Sequence, residues 1–280
     1  MTGAGGAVDR LDFDDVELMY QLYDGGERVV LVHASPFVSW YAPLVEQLTG
    51  YSILHYRRRV RESADGGYRG LTVAEDAAIC ARLVDHVAWN TVHIVGHSYG
   101  ALVALQLAMD TPDLVRSVAL LEPAARGITK SEQIAAALQQ VLAAYRSGDT
   151  VGAMDGFLRD GCGDGYRAVL ERVLPNAFSE ALAEADLFFQ AEVPAVQQWS
   201  FGPSDTERIT QPVLNVLGTE SAPRFVEGSE LIQSWFPQAV RFSVPEAGHL
   251  LTVQNPTGLA QGLSNFFSRH PIGDLSVNPS

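Results

Sequence analysis

Thr91-Val92-His93-Ile94-Val95-Gly96-His97-Ser98-Tyr99-Gly100-Ala101-Leu102-Val103 decides the fold of this 280-residue chain. An apolar, β-branched run meets Gly-His-Ser-Tyr-Gly and passes into an apolar helical run ending near Met109. The spacing places Ser98 on a sharp strand-to-helix turn. Such a turn crowds the backbone, so the positions two before and two after the serine tolerate little beyond glycine. The turn lifts the hydroxyl above the sheet. The helix that begins there turns its free N–H groups and positive dipole end toward an anion formed beside the serine.

Outward from this turn, strand and helix patterns alternate. Val16–Tyr23 alternates apolar and polar residues and reads as an antiparallel strand, after a loose tail over residues 1–12. Arg28–Val32 is a continuous apolar run of the kind buried on both faces. Tyr41–Leu48 has a helical pattern, Tyr51–His55 reads as a strand, and Leu71–Val87 as an amphipathic helix with Thr72 as its cap. A strand at Val115–Leu121 follows the serine helix. The alternation predicts an α/β fold with a mostly parallel sheet and helices on both faces.

From about residue 126 to 211 no buried strand is evident. Helical stretches at 131–146, 150–160, 165–174 and 177–191 predict a helical insertion. The sheet pattern returns at Pro212–Leu217 and Val240–Val244, with helices at 224–236 and 257–269.

Apolar residues make up 47% and charged residues 19% of the chain, enough for a sizeable core, and the formal net charge is −14. That charge repels nucleic acid and anionic membrane surfaces, which leaves a small molecule as the partner. The sequence allows a homodimer without specifying one. Cys80 and Cys162 are far apart and read as reduced thiols. The first ten residues have no apolar signal core and no stretch is long enough to span a bilayer, so a cytoplasmic location is expected.

A serine hydroxyl needs a base, and the base an orienting acid. Glu246-Ala247-Gly248-His249 supplies strand, short turn and histidine in the expected last place, so His249 is the candidate base. A loop histidine at the surface is the plainer alternative. His97 lies inside the turn and should pack below Ser98. His33 ends a strand and should organise the adjoining loop. No histidine pair has zinc-ligand spacing, and neither metal nor organic cofactor is expected.

By these residues the chain resembles the α/β-hydrolase family. The matching parts are Val32-His33-Ala34-Ser35-Pro36, Gly96-His97-Ser98-Tyr99-Gly100 and Gly248-His249-Leu250, over about residues 15–125 and 210–270. The resemblance implies an eight-stranded core at 1–125 and 210–280, with the insertion at 126–209 as a cap. It also implies an oxyanion hole from the N–H groups of Tyr99 and Ser35, and acyl-transfer chemistry on an ester or lactone. Relatives often carry glycine where this chain has Ala34. They usually carry an aspartate after the strand that follows the cap, where this chain has Ser221 in Gly218-Thr219-Glu220-Ser221. Two carboxylates remain. Glu122, ending the strand before the cap, is the expected acid, because a carboxylate at a buried strand end is costly without a partner such as histidine. Glu220, one residue early, is the other candidate. Some branches of the family, including zearalenone-type lactonases, place their acid as Glu122 is placed. A structural role for Glu122 in Leu121-Glu122-Pro123 is the alternative.

The resemblance leaves other chemistries open on the same fold: C–C hydrolysis, acyl transfer, cofactorless perhydrolysis, or ligand binding without catalysis. Phe37, Trp40, Phe188, Phe189 and Trp199 are the candidate pocket residues, against the plainer reading that aromatic stripes at helical spacing are core. Arg57, Arg58, Arg59 and Arg61 read either as a solvated loop paired with Glu62 and Asp65 or as a cationic rim for an anionic substrate.

Overall fold

The computed structural model describes residues 8–13, 16–34, 38–60, 72–124 and 132–273. The strands are β1 (Val8–Phe13), β2 (Val16–Tyr23), β3 (Glu27–Val32), β4 (Tyr51–Val60), β5 (Val92–His97), β6 (Val115–Leu121), β7 (Val213–Gly218) and β8 (Val240–Val244). They form one eight-stranded sheet in the order β1-β2-β4-β3-β5-β6-β7-β8. β1 and β2 pair antiparallel, as do β2 and β4; the remaining pairs are parallel.

The continuous apolar runs are explained by burial on both faces. Alternate residues of a strand point to opposite sides. Val30, Val32, Ile94, Val118 and Leu120 pack with α2 (Val73–His86) and α3 (Tyr99–Asp110). Val29, Leu31, Val95, Ala119 and Leu121 pack on the other face, against α1 (Ala42–Val45) and the C-terminal helix. Each fully buried Val or Leu contributes about 1.5–3 kcal/mol. Thr72 caps α2: its Oγ1 accepts from Glu75 N–H at 3.2 Å, and its own N–H donates to the Glu75 carboxylate at 2.7 Å.

Between β6 and β7 run α4 (Glu132–Arg146), α5 (Thr150–Cys162), α6 (Tyr166–Val173), α7 (Ala177–Ala183), α8 (Ala185–Leu187), a π-turn (Phe188–Glu192), α9 (Val193–Gln198) and α10 (Pro203–Thr206). α11 (Pro223–Trp235), α12 (Leu251–Gln254) and α13 (Pro256–Phe267) complete the chain. The insertion helices have their own apolar core, which also takes in Ala34, Trp40, Leu250 and Val253. Those residues lie just past the ends of β3 and β8, so the insertion packs over the C-terminal ends of the strands.

Three stretches differ from the sequence reading. Residues 8–12 belong to an edge strand, with Leu11 opposite Leu18, rather than to a loose tail. The segment is largely exposed and held by one ladder, so it carries no buried-strand signature. β4 continues through Arg57, Arg58 and Arg59 to Val60 instead of turning into a loop, because β2 supplies an antiparallel partner beyond the point where pairing with β3 ends. Glu17 stands opposite Arg59 in that register. The helix expected over 177–191 is broken into segments. Val193 N–H reaches the Phe188 carbonyl five residues back, and Pro194, which follows, has no N–H with which to continue an α ladder.

His55 and His93 are buried within this sheet. Burial holds His55 at about 4, and burial with the nearby Arg116 and His270 holds His93 at about 4. His93 also lies 2.7 Å from Ser117 Oγ and stacks on Phe267 at 4.4 Å. Both bind fewer protons folded than unfolded between pH 6.5 and about 4, so stability is full above that window and falls as pH drops through it. Each accounts for at most about 3 kcal/mol. Urea midpoints should fall from pH 7 to pH 4.5, with a shallower slope in His55→Asn. An equal slope in the variant would remove His55 from the account.

Candidate active site

The β5–α3 turn is dictated by contact distances. A Cβ on Gly96 would sit 2.2 Å from the Gly100 carbonyl oxygen, and one on Gly100 would sit 2.0 Å from that of Val32. No side chain fits either gap, which explains both glycines around Ser98. Ser98 has φ 54° and ψ −113°, a conformation L-residues rarely adopt. The neighbouring strand braces it: Ser98 N–H donates to the Leu121 carbonyl at 3.0 Å, and its own carbonyl accepts from Ala124 N–H at 3.0 Å. Tyr99 is the first residue of α3, which puts its N–H at the helix's N-terminal end. Its phenol donates to the buried carboxylate of Asp76 on α2, which pins the start of the helix.

β6 ends at Leu121, and Glu122 extends its ladder by one bond, its N–H donating to the Val216 carbonyl at 3.2 Å. Glu122 has φ 43° and is fully buried. One carboxylate oxygen, Oε1, accepts from Gly218 N–H at 2.8 Å and from the Ser221 hydroxyl. The other, Oε2, lies 2.8 Å from Nδ1 of His249. A carboxylate oxygen accepts, so Nδ1 carries the proton and Nε2 is left with its lone pair. Left-handed φ costs a non-glycine residue about 1–3 kcal/mol, and the buried carboxylate's three donors offset it. Glu220 is exposed, and only its backbone takes part, donating to Ala247 at 2.8 Å.

His249 is buried between aromatic rings. Phe225, in the first turn of α11, stacks on it at 3.9 Å and 11°, and His97 lies 4.8 Å away. Burial, with the charge of His249, holds His97 well below the usual histidine range. A proton arriving on His249 therefore meets a neutral ring. His33 Nδ1 lies 2.7 Å from the Ala34 carbonyl, at the start of the loop after β3.

Ser98, Tyr99 and His249 line one pocket of about 790 Å³, its mouth included. The core contributes Ala34, Trp40, Ala124 and Phe225 to its walls; the insertion contributes Leu138, Phe157, Phe188 and Val193. The π-turn brings Phe188 and Glu192 into the same wall. An ion pair between Arg224 of α11 and Asp160 of α5 ties the core to the insertion at the pocket. Cys162 also lines it, its thiol pushed up by burial and by Glu122.

Trp40 and Phe188, read from sequence as pocket residues, line this pocket. Phe189 and Trp199 do not. Phe189 stacks on Tyr145 at 4.5 Å inside the insertion's core. Trp199 donates to Gln106 on α3 at 2.9 Å and stacks on Phe201. Phe189 follows Phe188 by one residue and so points to a different side of the helix, and Trp199, past the end of α9, packs against the main core. Ser35 and Phe37 lie outside the described residues, as do Arg61 and the side chains of Arg58 and Arg59. Arg57 pairs with Glu184 of the insertion and is not among the residues that line this pocket. Phe225 escaped the sequence reading. Its signal was its position, opening a helix just after β7 at the strand end that also bears His249.

Among the described residues, no group of three His, Cys, Asp or Glu side chains could hold a metal ion, and no helix is long and apolar enough to cross a membrane.

The chain matches the alpha/beta hydrolase family over residues 29–261 and belongs to it. It is 32% identical over 127 residues to the dihydrolipoyllysine-residue acetyltransferase component of the acetoin cleaving system of Cupriavidus necator, covering 44% of this chain and 34% of that protein. It is 25% identical over 226 residues to a putative carbamate hydrolase, RutD, of Variovorax paradoxus, covering 79% and 82%. The chain thus spans about a third of the first of these relatives and most of the second. Among solved structures, a thermophilic esterase from Thermogutta terrifontis superposes with a TM-score of 0.77 at 18% identity, over 95% of this chain and 100% of that one. The enol-lactonase from Burkholderia xenovorans LB400 gives 0.77 at 17% identity, over 93% and 100%. At these identities the likeness is one of fold.

Gly100→Ala should lower stability by about 1–3 kcal/mol, because the new methyl forces β3 and α3 apart. Thermal unfolding checks this, and a midpoint equal to that of the parent would show that the two backbones can separate freely.

Proposed function

We propose that this chain is a serine hydrolase that cleaves carboxylic esters or lactones, with Ser98 as nucleophile, His249 as base and Glu122 as the acid that orients it. The observation that carries this reading is the 2.8 Å hydrogen bond between His249 Nδ1 and the buried Glu122, with Ser98 and His249 facing one apolar pocket. Residues 126–209 act as the cap over a core formed by 1–125 and 210–280.

Ser98 Oγ attacks the carbonyl carbon as Nε2 of His249 takes the hydroxyl proton. The tetrahedral oxyanion is held by Tyr99 N–H, with Ser35 N–H as second donor on the strength of the family resemblance. Collapse expels the alcohol, which receives the proton from Nε2. Water, deprotonated by the same nitrogen, then releases the acid and restores Ser98. Through both steps Glu122 faces Nδ1, keeps the proton there and stabilises the imidazolium. The apolar walls suit a hydrophobic acyl chain or lactone ring. A carbamate has a similar carbonyl, and the 25% identity to a putative carbamate hydrolase makes it the second substrate class to assay.

In a panel of p-nitrophenyl esters and lactones of graded size, Ser98→Ala should lower kcat/KM by about a thousandfold or more. Wild-type Ser98 should label with a fluorophosphonate. Glu122→Gln should lower kcat by up to about ten-thousandfold, and Glu220→Gln by less than about twofold. Full turnover in Ser98→Ala would end the serine mechanism; the reverse order of the two glutamate variants would reassign the acid.

Phe188→Ala should raise KM for long acyl chains about tenfold, whereas Trp199→Ala should cost about 1–3 kcal/mol of stability with KM unchanged. Chain-length profiles and thermal unfolding separate the two effects. A longer-chain KM that moves with Trp199 instead would return that residue to the pocket.

A further inference from the structure

We propose that Ser221 is a positioning residue for the proposed catalytic apparatus: its hydroxyl and the Gly218 N–H form a two-donor clamp on Oε1 of Glu122 that leaves Oε2 alone to face His249. The inference rests on the Ser98-His249-Glu122 reading and concerns what holds its acid in place.

A glutamate side chain has several rotatable bonds, and a carboxylate with one free oxygen can pivot. Pivoting would break the linear approach to Nδ1 just when His249 takes up a proton. Here Oε1 is held from two directions. Gly218 N–H, at the end of β7, donates at 2.8 Å, and the Ser221 hydroxyl donates from the turn that follows. Oε2 is then held 2.8 Å from Nδ1. The two halves of the clamp differ in kind. Gly218 gives a backbone donor that substitution cannot remove cleanly, since a Cβ there would sit 2.2 Å from the Ala247 carbonyl oxygen. Ser221 gives a side-chain donor, the part that a point change can delete.

Ser221 is also well placed to keep its aim. Its N–H donates to the Gly218 carbonyl at 3.3 Å, closing the turn. A Cβ built on Gly248 would lie 3.9 Å from its Cα, so the turn after β7 packs beside the residue that precedes His249. Ser221 thus joins the loops after β6, β7 and β8 at the carboxylate. A hydrogen bond to a charged acceptor is stronger than one between neutral groups, so losing it should move the rate by about tenfold.

The test uses p-nitrophenyl butyrate as probe on the full chain. Ser221→Ala should lower kcat about tenfold with KM within about twofold. Ser221→Thr, which keeps a hydroxyl, should recover most of the loss. On a Glu122→Gln background Ser221→Ala should change kcat by less than about twofold, because the group it positions is gone. Unchanged kcat in Ser221→Ala, no recovery in Ser221→Thr, or an undiminished tenfold loss on the Glu122→Gln background would each overturn the proposal. Ser98→Ala in the same assay separates the two readings. If it is inactive while Ser221→Ala is normal, only this inference fails; if it turns over at the parent's rate, the serine mechanism fails and the clamp's catalytic role with it.

Discussion

A fully buried carboxylate at the end of a central strand must find donors or stay neutral, and Glu122 finds three. They come from the end of β7, from the turn after it, and from the loop after β8. Much of the site's geometry follows from this convergence. Glu122 turns to positive φ to bring its side chain toward β7, while its backbone still extends the β6 ladder. Removing any donor leaves charge under-compensated where water cannot replace it easily, at a cost of about 1–3 kcal/mol or more. Three strand ends distant in sequence are thereby held in register at one point.

The serine side of the site rests on a different constraint, steric rather than polar. β3, β5 and α3 approach until only hydrogen fits at positions 96 and 100. Ser98 is left half-buried at the start of α3, braced by Leu121 and Ala124 from the β6 end. The same strand end therefore supports both Ser98 and Glu122. Above them the insertion is tied to the core by Arg57–Glu184 and Arg224–Asp160, and by the apolar contacts of Trp40 and Leu250. The pocket is bounded by both parts of the chain, and its chemistry is mostly apolar because the insertion turns Phe157, Phe188 and Val193 toward it.

Much of the architecture was legible because burial on two faces leaves a plain trace. Val29–Val32 is apolar at every position, and Val92–Val95 at every position but His93, because alternate residues enter two different cores. The edge strand β1 and the far half of β4 left no such trace. Their partner is β2, an antiparallel strand beside solvent, and pairing there depends on backbone hydrogen bonds that most side chains satisfy equally well. The insertion was legible as helical, but not in detail. A proline in the segment is visible in sequence; that a π-turn forms there, and that Phe188 enters the pocket while Phe189 stacks on Tyr145, depends on what packs around it.

By itself the sequence determined the strand–turn–helix around Ser98, the mostly parallel sheet and the helical insertion, because local sterics and hydrophobic period are properties of neighbouring residues. It also favoured Glu122 over Glu220, because a carboxylate at a buried strand end needs a partner, but the neighbours of neither residue show where its side chain ends. The tertiary structure decided which of them meets the imidazole: Glu122 hydrogen-bonds to His249 and Glu220 faces solvent. It decided likewise that Phe225 stacks on His249 and that Trp199 serves the core. The physical reason is common to these outcomes. Each depends on where separate strand ends and helix faces meet, and contacts between residues on different elements are set by packing and by the need to satisfy buried polar groups, not by the residues beside them in the chain.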